Sequence, residues 1–201
     1  MNDKEDLMNH LIRKFGYKSY LEIGVENGES IRRIQAQHKD GVDPIKRVAE
    51  VNFVMTSDEF FNLHTDKRYD IIFVDGHHDS EYVHRDINNS LNRLNDNGTV
   101  VVHDCLPLEP SHAVKMRNIT PHTISWTGDG YKVINGIIRN HSDDLECFVV
   151  NFDWGVGVIR KKNKNLVNVG YDESFSWVDM FSDATKTLNL ISPSEFLERY
   201  A

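Results

Sequence analysis

Five short segments of this 201-residue sequence place reactive side chains where apolar runs stop: Tyr20 to Ser30 (YLEIGVENGES), Gly41 to Pro44 (GVDP), Thr56 to Asp58, Asp75 to His78 (DGHH) and His103-Asp104. The first reads as a buried strand breaking into a glycine turn and then a helix start. Leu21 and Ile23 are its apolar residues, Gly24 and Gly28 permit positive φ or close backbone approach, and Ser30 stands where a helix cap is favoured. Bare backbone amides beside a carboxylate suit a nucleotide-like guest. Asp43 follows the glycine turn by about 20 residues, where an acid can accept from both ribose hydroxyls. A turn aspartate before Pro44 is the plainer alternative, as an ordinary strand-to-helix turn is for Gly24 and Gly28. The pattern is E-x-G-x-x-x-G rather than G-x-G-x-x-G, which weakens a nicotinamide or flavin reading.

His77, His78 and His103 add proton chemistry. A turn histidine such as His77 can be only a local hydrogen-bond partner. His78 and His103, with Asp75 and Asp104 beside them, could be oriented to take a proton from a hydroxyl. Alternatively, Asp75, His103 and Asp104 could hold a divalent metal that lowers the hydroxyl's pKa. The residues leave both open. Trp126, Asp129 and Lys132 follow a long polar stretch and are candidates for an acceptor site, Asp129 and Lys132 binding and Trp126 forming a wall; a turn and helix cap at Gly128 to Gly130 is the alternative.

These residues need a scaffold that brings strand ends together. Leu7, Met8, Leu11, Ile12 and Phe15 recur at helical spacing, predicting a helix over 4–15 closed by Gly16. Strand 19–23, helix 29–37, strand 39–42, a short strand near 52–55 and a short helix from Asp58 follow in βαβ rhythm. Asp70 to Val74 and Thr99 to Val102 are apolar runs of the kind buried on both faces of a parallel sheet. Val83, Ile87, Leu91 and Leu94 mark one helix face between them, and Asn97-Gly98 supplies the turn. Residues 105–128, with Pro107, Pro110 and Pro121, read as a long active-site loop. A helix is expected over 130–140. The runs 147–152 and 156–159 lie too close for a parallel crossover and should form an antiparallel hairpin with Asp153 and Trp154 in its turn. A helical tail begins near Ser174, its Phe175, Trp177 and Phe181 covering core. In an open α/β sheet the ligand lies outside the carboxyl ends of the strands, so the five segments converge on one edge.

Composition bounds the rest. The length suits one α/β domain spanning 1–201. With 23 Lys and Arg against 31 Asp and Glu, the net charge of -8 argues against a nucleic-acid partner, and Arg160 to Lys164 (RKKNK) reads as a solvated loop. Two cysteines, Cys105 and Cys147, without CxxC spacing indicate neither a disulfide framework nor a zinc knuckle, which fits a reducing cytoplasm. No signal-peptide core and no run of about 18 apolar residues occurs, so a soluble protein without a membrane partner is expected. Oligomeric state is not legible.

Taken together, LEIGVENGES, GVDP, FVDGHH and NGTVVVHD resemble the class I S-adenosylmethionine-dependent methyltransferases. DGHH with a later HD resembles the branch holding catechol-type and sugar O-methyltransferases, and the likeness extends to WTGDGYK and DWGVGVIRK. The resemblance implies a Rossmann-like three-layer α/β sandwich, its sheet mostly parallel with an antiparallel C-terminal hairpin. It implies S-adenosylmethionine as cofactor, held by Glu22, Gly24, Val25, Gly28, Ser30, Asp43, Ser57, Asp75, Gly76 and His77, and a small-molecule or sugar acceptor whose hydroxyl is methylated with His78, His103 and Asp104 on the catalytic side. In the catechol-type enzymes, aspartates at positions like Asp75 and Asp104 hold magnesium together with an Asn where this chain has Cys105. A thiol is a poor ligand for that hard cation. Relatives also show an aromatic residue where Ser80 stands, with Tyr82 beyond it here. Two other readings accompany this one: a non-catalytic module that keeps the nucleoside pocket, and an NAD-dependent oxidoreductase on the same topology.

Overall fold

In the computed structural model, which describes residues 1–120, 125–165 and 167–201, a seven-stranded sheet runs through the centre of the protein. Its strands are β1 (Ser19–Ile23), β2 (His38–Asp43), β3 (Phe53–Val54), β4 (Tyr69–Val74), β5 (Leu94–Val102), β6 (Leu145–Val150) and β7 (Val156–Lys161). They lie in the order β3-β2-β1-β4-β5-β7-β6. The first five pair in parallel, and β7 enters antiparallel between β5 and β6. This is the expected mostly parallel sheet with an antiparallel hairpin at its C-terminal end.

Alternation along the strands divides the interior into two cores. Ile71 and Phe73 of β4 face one side with α1 (Lys4–Phe15), α2 (Glu29–Arg33) and α8 (Pro193–Arg199). Ile72 and Val74 face the other with α3 (Ser57–Leu63), α4 (Ser80–Leu91), α5 (Tyr131–Asn140) and α6 (Trp177–Ser182). A strand covered by helices on both faces must be apolar at every step, which explains the unbroken runs. The short α7 (Ala184–Thr187) leads into a strap whose Ile191 bridges to Val150 on the outer edge of β6.

Local chemistry sets the boundaries. Asp3 caps α1 by accepting from the amide of Asp6 (2.9 Å), and Gly16 ends the helix in the left-handed region at φ 66°. Thr56 and Glu59 form a reciprocal capping box that fixes the start of α3. The expected helix over 29–37 stops at Arg33. The Asn9 side chain donates to the carbonyl of Arg33 (3.0 Å) and accepts from the amide of Gln35 (2.8 Å), drawing the chain out of the helix. Leu94 belongs to β5 rather than to the α4 face. Asn97-Gly98 also lies within β5, where the register against β4 shifts and Asn97 takes φ 64°. Arg160 and Lys161 of the supposed solvated run are the end of β7, the Arg160 guanidinium lying over the Phe15 ring at 4.0 Å. Within the expected loop 105–128, Met116–Asn118 forms one 3₁₀ turn, and residues 121–124 fall outside the described residues. In the tail, Phe175 is buried as expected, but Phe181 is exposed and stacked on Trp177.

Candidate active site

Four backbone bonds continue the parallel ladder past the strand ends and hold the site-bearing residues level. The amide of Gly24 donates to Val42 O (2.9 Å), that of Asp75 to Ile23 O (2.9 Å) and that of His103 to Val74 O (3.1 Å). The fourth, from the amide of Asn52 to Gly41 O (3.0 Å), secures the approach to β3. Above this edge opens a cavity of about 830 Å³. Its wall includes Glu22, Gly24, Val25, Ser30, Asp43, Ser57, Asp75, Gly76, His77, His78, His103, Asp104 and Trp126. All five strand-end segments therefore meet in one pocket.

At the glycine turn, Gly24 has φ 86°, and a Cβ there would lie 2.2 Å from the carbonyl oxygen of Asp75. Gly28, at φ 74°, is itself the cap position of α2. Ser30 thus lies inside the helix and does not cap it; its hydroxyl donates to Glu5 Oε1 (2.6 Å). Asp43 accepts from the amides of Glu26 (3.0 Å) and Ile45 (2.7 Å). A carboxylate has about four lone-pair sites, so two remain for a ligand. The turn reading and the ligand reading of Asp43 are compatible. Glu22 is buried and receives a hydrogen bond from the Tyr20 hydroxyl. Burial pushes its carboxyl up to about 8, the nearby Asp75 charge adding to the effect.

Farther along, His77 stacks on Tyr82 at 4.0 Å, so an aromatic contact comes from Tyr82 where Ser80 cannot supply it. Asp86, on the wall beside Ser57, is missed by motif reading because it lies mid-helix. Burial raises its carboxyl to about 7 against the opposing hydrogen bond from Ser57.

The opposite end holds a carboxylate and imidazole cluster. His78 Nε2 is 3.5 Å from Asp75 Oδ1, and His78 Nδ1 is 3.1 Å from Asp104 Oδ2. That second approach is off the ring's donor direction, so buried Nδ1 makes no hydrogen bond among the described residues. Donor atoms of Asp75, His78 and Asp104 lie within 4.8 Å of one another, a grouping able to hold a metal. Asp104 reaches it from a strained backbone at φ 56°. Cys105 turns away, its Sγ donating to Val102 O (3.4 Å). The imidazole of His78 stacks on Trp126 at 4.8 Å and 15°.

His103 is differently placed from the expectation of a base. Its Nδ1 is 3.2 Å from Asp75 Oδ1, and its Nε2 is 2.9 Å from the carbonyl oxygen of Asp153. Burial opposes its charge, but hydrogen bonds from its ring to Asp104, Asp153 and Asp75 outweigh this and push it up to about 12. Conversely, Asp75 is held well below the usual carboxylate range: burial acts upward, and the His103 and His78 bonds prevail. His78 also rises, Asp75 and Asp104 overcoming its burial. Asp153 therefore does more than turn a hairpin.

Asp129 and Lys132 stand outside the cavity wall. Asp129 accepts from the amide of Ser80 at the start of α4 (2.6 Å) and pairs with Lys132 Nζ (3.2 Å). Trp126 alone of the three acceptor candidates reaches the pocket. The structure adds Lys4, whose place on the wall no local motif announces.

Residues 25–105 match the family model described as a methyltransferase domain. The chain has the class I methyltransferase fold. Solved structures with this fold include the S-adenosylhomocysteine-bound methyltransferase of Podospora anserina, at TM-score 0.58 and 18% identity over 80% of this chain and 78% of that one. An O-methyltransferase of Bacillus cereus in complex with S-adenosylhomocysteine superposes at TM-score 0.54 and 12% identity, covering 79% and 80%. The Streptomyces achromogenes O-methyltransferase of tomaymycin synthesis, solved with S-adenosylmethionine, gives 0.53 and 14%, covering 79% of each chain. Among curated proteins no relative matches. No helix among the described residues is long and apolar enough to cross a membrane.

Proposed function

We propose that this protein is a methyltransferase that binds S-adenosylmethionine and transfers its methyl group to an oxygen of a small-molecule or sugar hydroxyl. One observation carries the reading: a single cavity joins the glycine turn and Asp43 at one end to the Asp75, His78, His103 and Asp104 cluster at the other. Support also comes from relatives of the same fold that were solved with this cofactor or its demethylated product.

The reaction would be an in-line displacement at the sulfonium carbon. Alignment of acceptor and methyl group supplies much of the rate, roughly 7–11 kcal/mol at its best. Where no metal is bound, removal of the hydroxyl proton falls to His78, since both nitrogens of His103 are committed; with His78 as a metal ligand, that activation passes to the metal. His78 must first be neutral, and its neighbours favour the imidazolium. Asp75, His78 and Asp104 fit a divalent metal, because buried Nδ1 of His78 has a carboxylate at hand but no hydrogen bond among the described residues. Such a metal, when bound, would lower the hydroxyl's pKa. Mixed nitrogen and oxygen donors suit manganese, cobalt or zinc better than magnesium.

The test is formation of S-adenosylhomocysteine from S-adenosylmethionine and a panel of catechols, phenols and sugars, with and without divalent metal. Turnover that follows one acceptor class is expected. Tight cofactor binding without product from any hydroxylated acceptor would support a non-catalytic module instead, and binding of NAD in place of the sulfonium would overturn the reading.

A further inference from the structure

At the reactive end of the cavity stands a cation that the proton chemistry does not use. Lys4 lies in the first turn of α1, and its amide donates to Asp153 Oδ2 (3.0 Å). Its side chain is 19% exposed and lines the cavity. The ammonium has no hydrogen bond among the described residues, its ion-pair partner Glu5 Oε1 being 3.9 Å away. Charges of Asp75, Asp153, Glu5 and Asp104 surround it and raise its pKa despite burial.

Apart from His78 and His103, whose ring nitrogens already face the carboxylates of Asp75 and Asp104, the other two cations among the described wall residues are at the far end. Arg85 is paired with Asp58 (2.8 Å) and lies over the Tyr82 ring, and Arg47 is exposed in the segment after β2. The cavity is therefore polar along its length. Asp43 and Ser57 mark the end suited to a nucleoside, while Lys4, Glu22 and Asp75 mark the other. A nucleoside anchored at Asp43 extends its substituent toward that second end. An amino-acid substituent carries an ammonium and a carboxylate there. Glu22 and Asp75 offer acceptors for the ammonium, but the carboxylate meets the charges of Asp75, Asp104 and Asp153, where it needs a cation with free donors. His103 has none to offer.

We propose that Lys4 binds the α-carboxylate of the cofactor's methionyl group, so that the N-terminal helix recognises the amino-acid end while the glycine turn recognises the nucleoside. The proposal rests on the S-adenosylmethionine reading above.

The experiment is a calorimetric double cycle using S-adenosylmethionine and decarboxylated S-adenosylmethionine, with wild type, Lys4→Gln and Lys4→Arg. In wild type, loss of the carboxylate should weaken binding by about 10–100-fold, the range of a charge-assisted hydrogen bond. In Lys4→Gln that difference should shrink below about threefold, with S-adenosylmethionine weakened and the decarboxylated ligand little changed; Lys4→Arg should restore most of it. Equal wild-type affinity for the two ligands overturns the proposal without any variant having to fold. A carboxylate effect undiminished in Lys4→Gln overturns it as well. If wild type binds neither ligand, the cofactor reading itself fails.

Discussion

His103 Nε2 lies 2.9 Å from the carbonyl oxygen of Asp153, so a strand-end histidine is locked to the turn of the C-terminal hairpin. With its pKa raised from 6.5 to about 12, His103 binds a proton in the folded state that the unfolded chain releases above 6.5. Its stabilisation is complete below pH 6.5 and declines as pH rises toward 12. Glu22, raised from 4.5 to about 8, acts in the same direction over a lower window. Between pH 8 and 9.5 the His103 contribution alone of these two should still be falling. The melting temperature of wild type should drop across that interval, and the slope should flatten in His103→Gln. Parallel slopes would remove the proton from His103.

A different readout follows for His78. As its imidazolium is favoured by Asp75 and Asp104, the rate with a hydroxyl acceptor should rise with pH through a midpoint above 6.5, and His78→Ala should lose most turnover while keeping cofactor affinity within about threefold. The pH dependence of kcat/KM checks this. A flat profile from pH 6 to 9 would take His78 out of proton transfer.

Cofactor affinity should depend on Asp43. Replacing it with alanine should weaken S-adenosylhomocysteine binding by about 1–3 kcal/mol through lost charged hydrogen bonds. Part of that loss would come from the released amides of Glu26 and Ile45, which now have Asp43 as partner. Calorimetry measures it, and unchanged affinity would place Asp43 outside the ligand contact.

Metal binding should be eliminated by Asp104→Ala and strongly reduced by His78→Ala, whereas Cys105→Ser should leave it intact because Sγ points to Val102 O. Calorimetric titration with manganese alone separates these variants. Retention of full affinity in Asp104→Ala would dismiss the grouping.

Gly24 provides a steric prediction. Alanine there needs a Cβ 2.2 Å from Asp75 O at φ 86°, so Gly24→Ala should destabilise the fold by about 2–4 kcal/mol, seen as a lower urea midpoint.

Much of this was legible because a strand buried on both faces writes its length as an apolar run, and its end as the first polar residue. Asp43, Asp75 and His103-Asp104 were found that way. What local pattern cannot carry is the use a distant partner makes of a side chain. Ser30 looked like a cap but serves Glu5 of α1; Asp129 looked like a ligand group but holds the start of α4. Helix α2 is short because Asn9, far back in the chain, takes its last carbonyl. Lys4 and Asp153 meet across 149 positions, a separation at which spacing has no meaning.

The place of β7 has a consequence for how the chain assembles. Strand β6 is made first, yet it pairs in the sheet with β7 and not with β5. A nascent chain ending before Val156 therefore has β5 as a bare edge and β6 with no strand to join, and such open edges invite pairing with other chains. The last parallel strand becomes an interior strand only when the hairpin has been threaded, and Asp153, in its turn, reaches His103 in the same event. Completion of the sheet and closure of the contact between His103 and Asp153 come together, so truncations that remove β7 should fail as aggregating chains rather than survive as weakened folds.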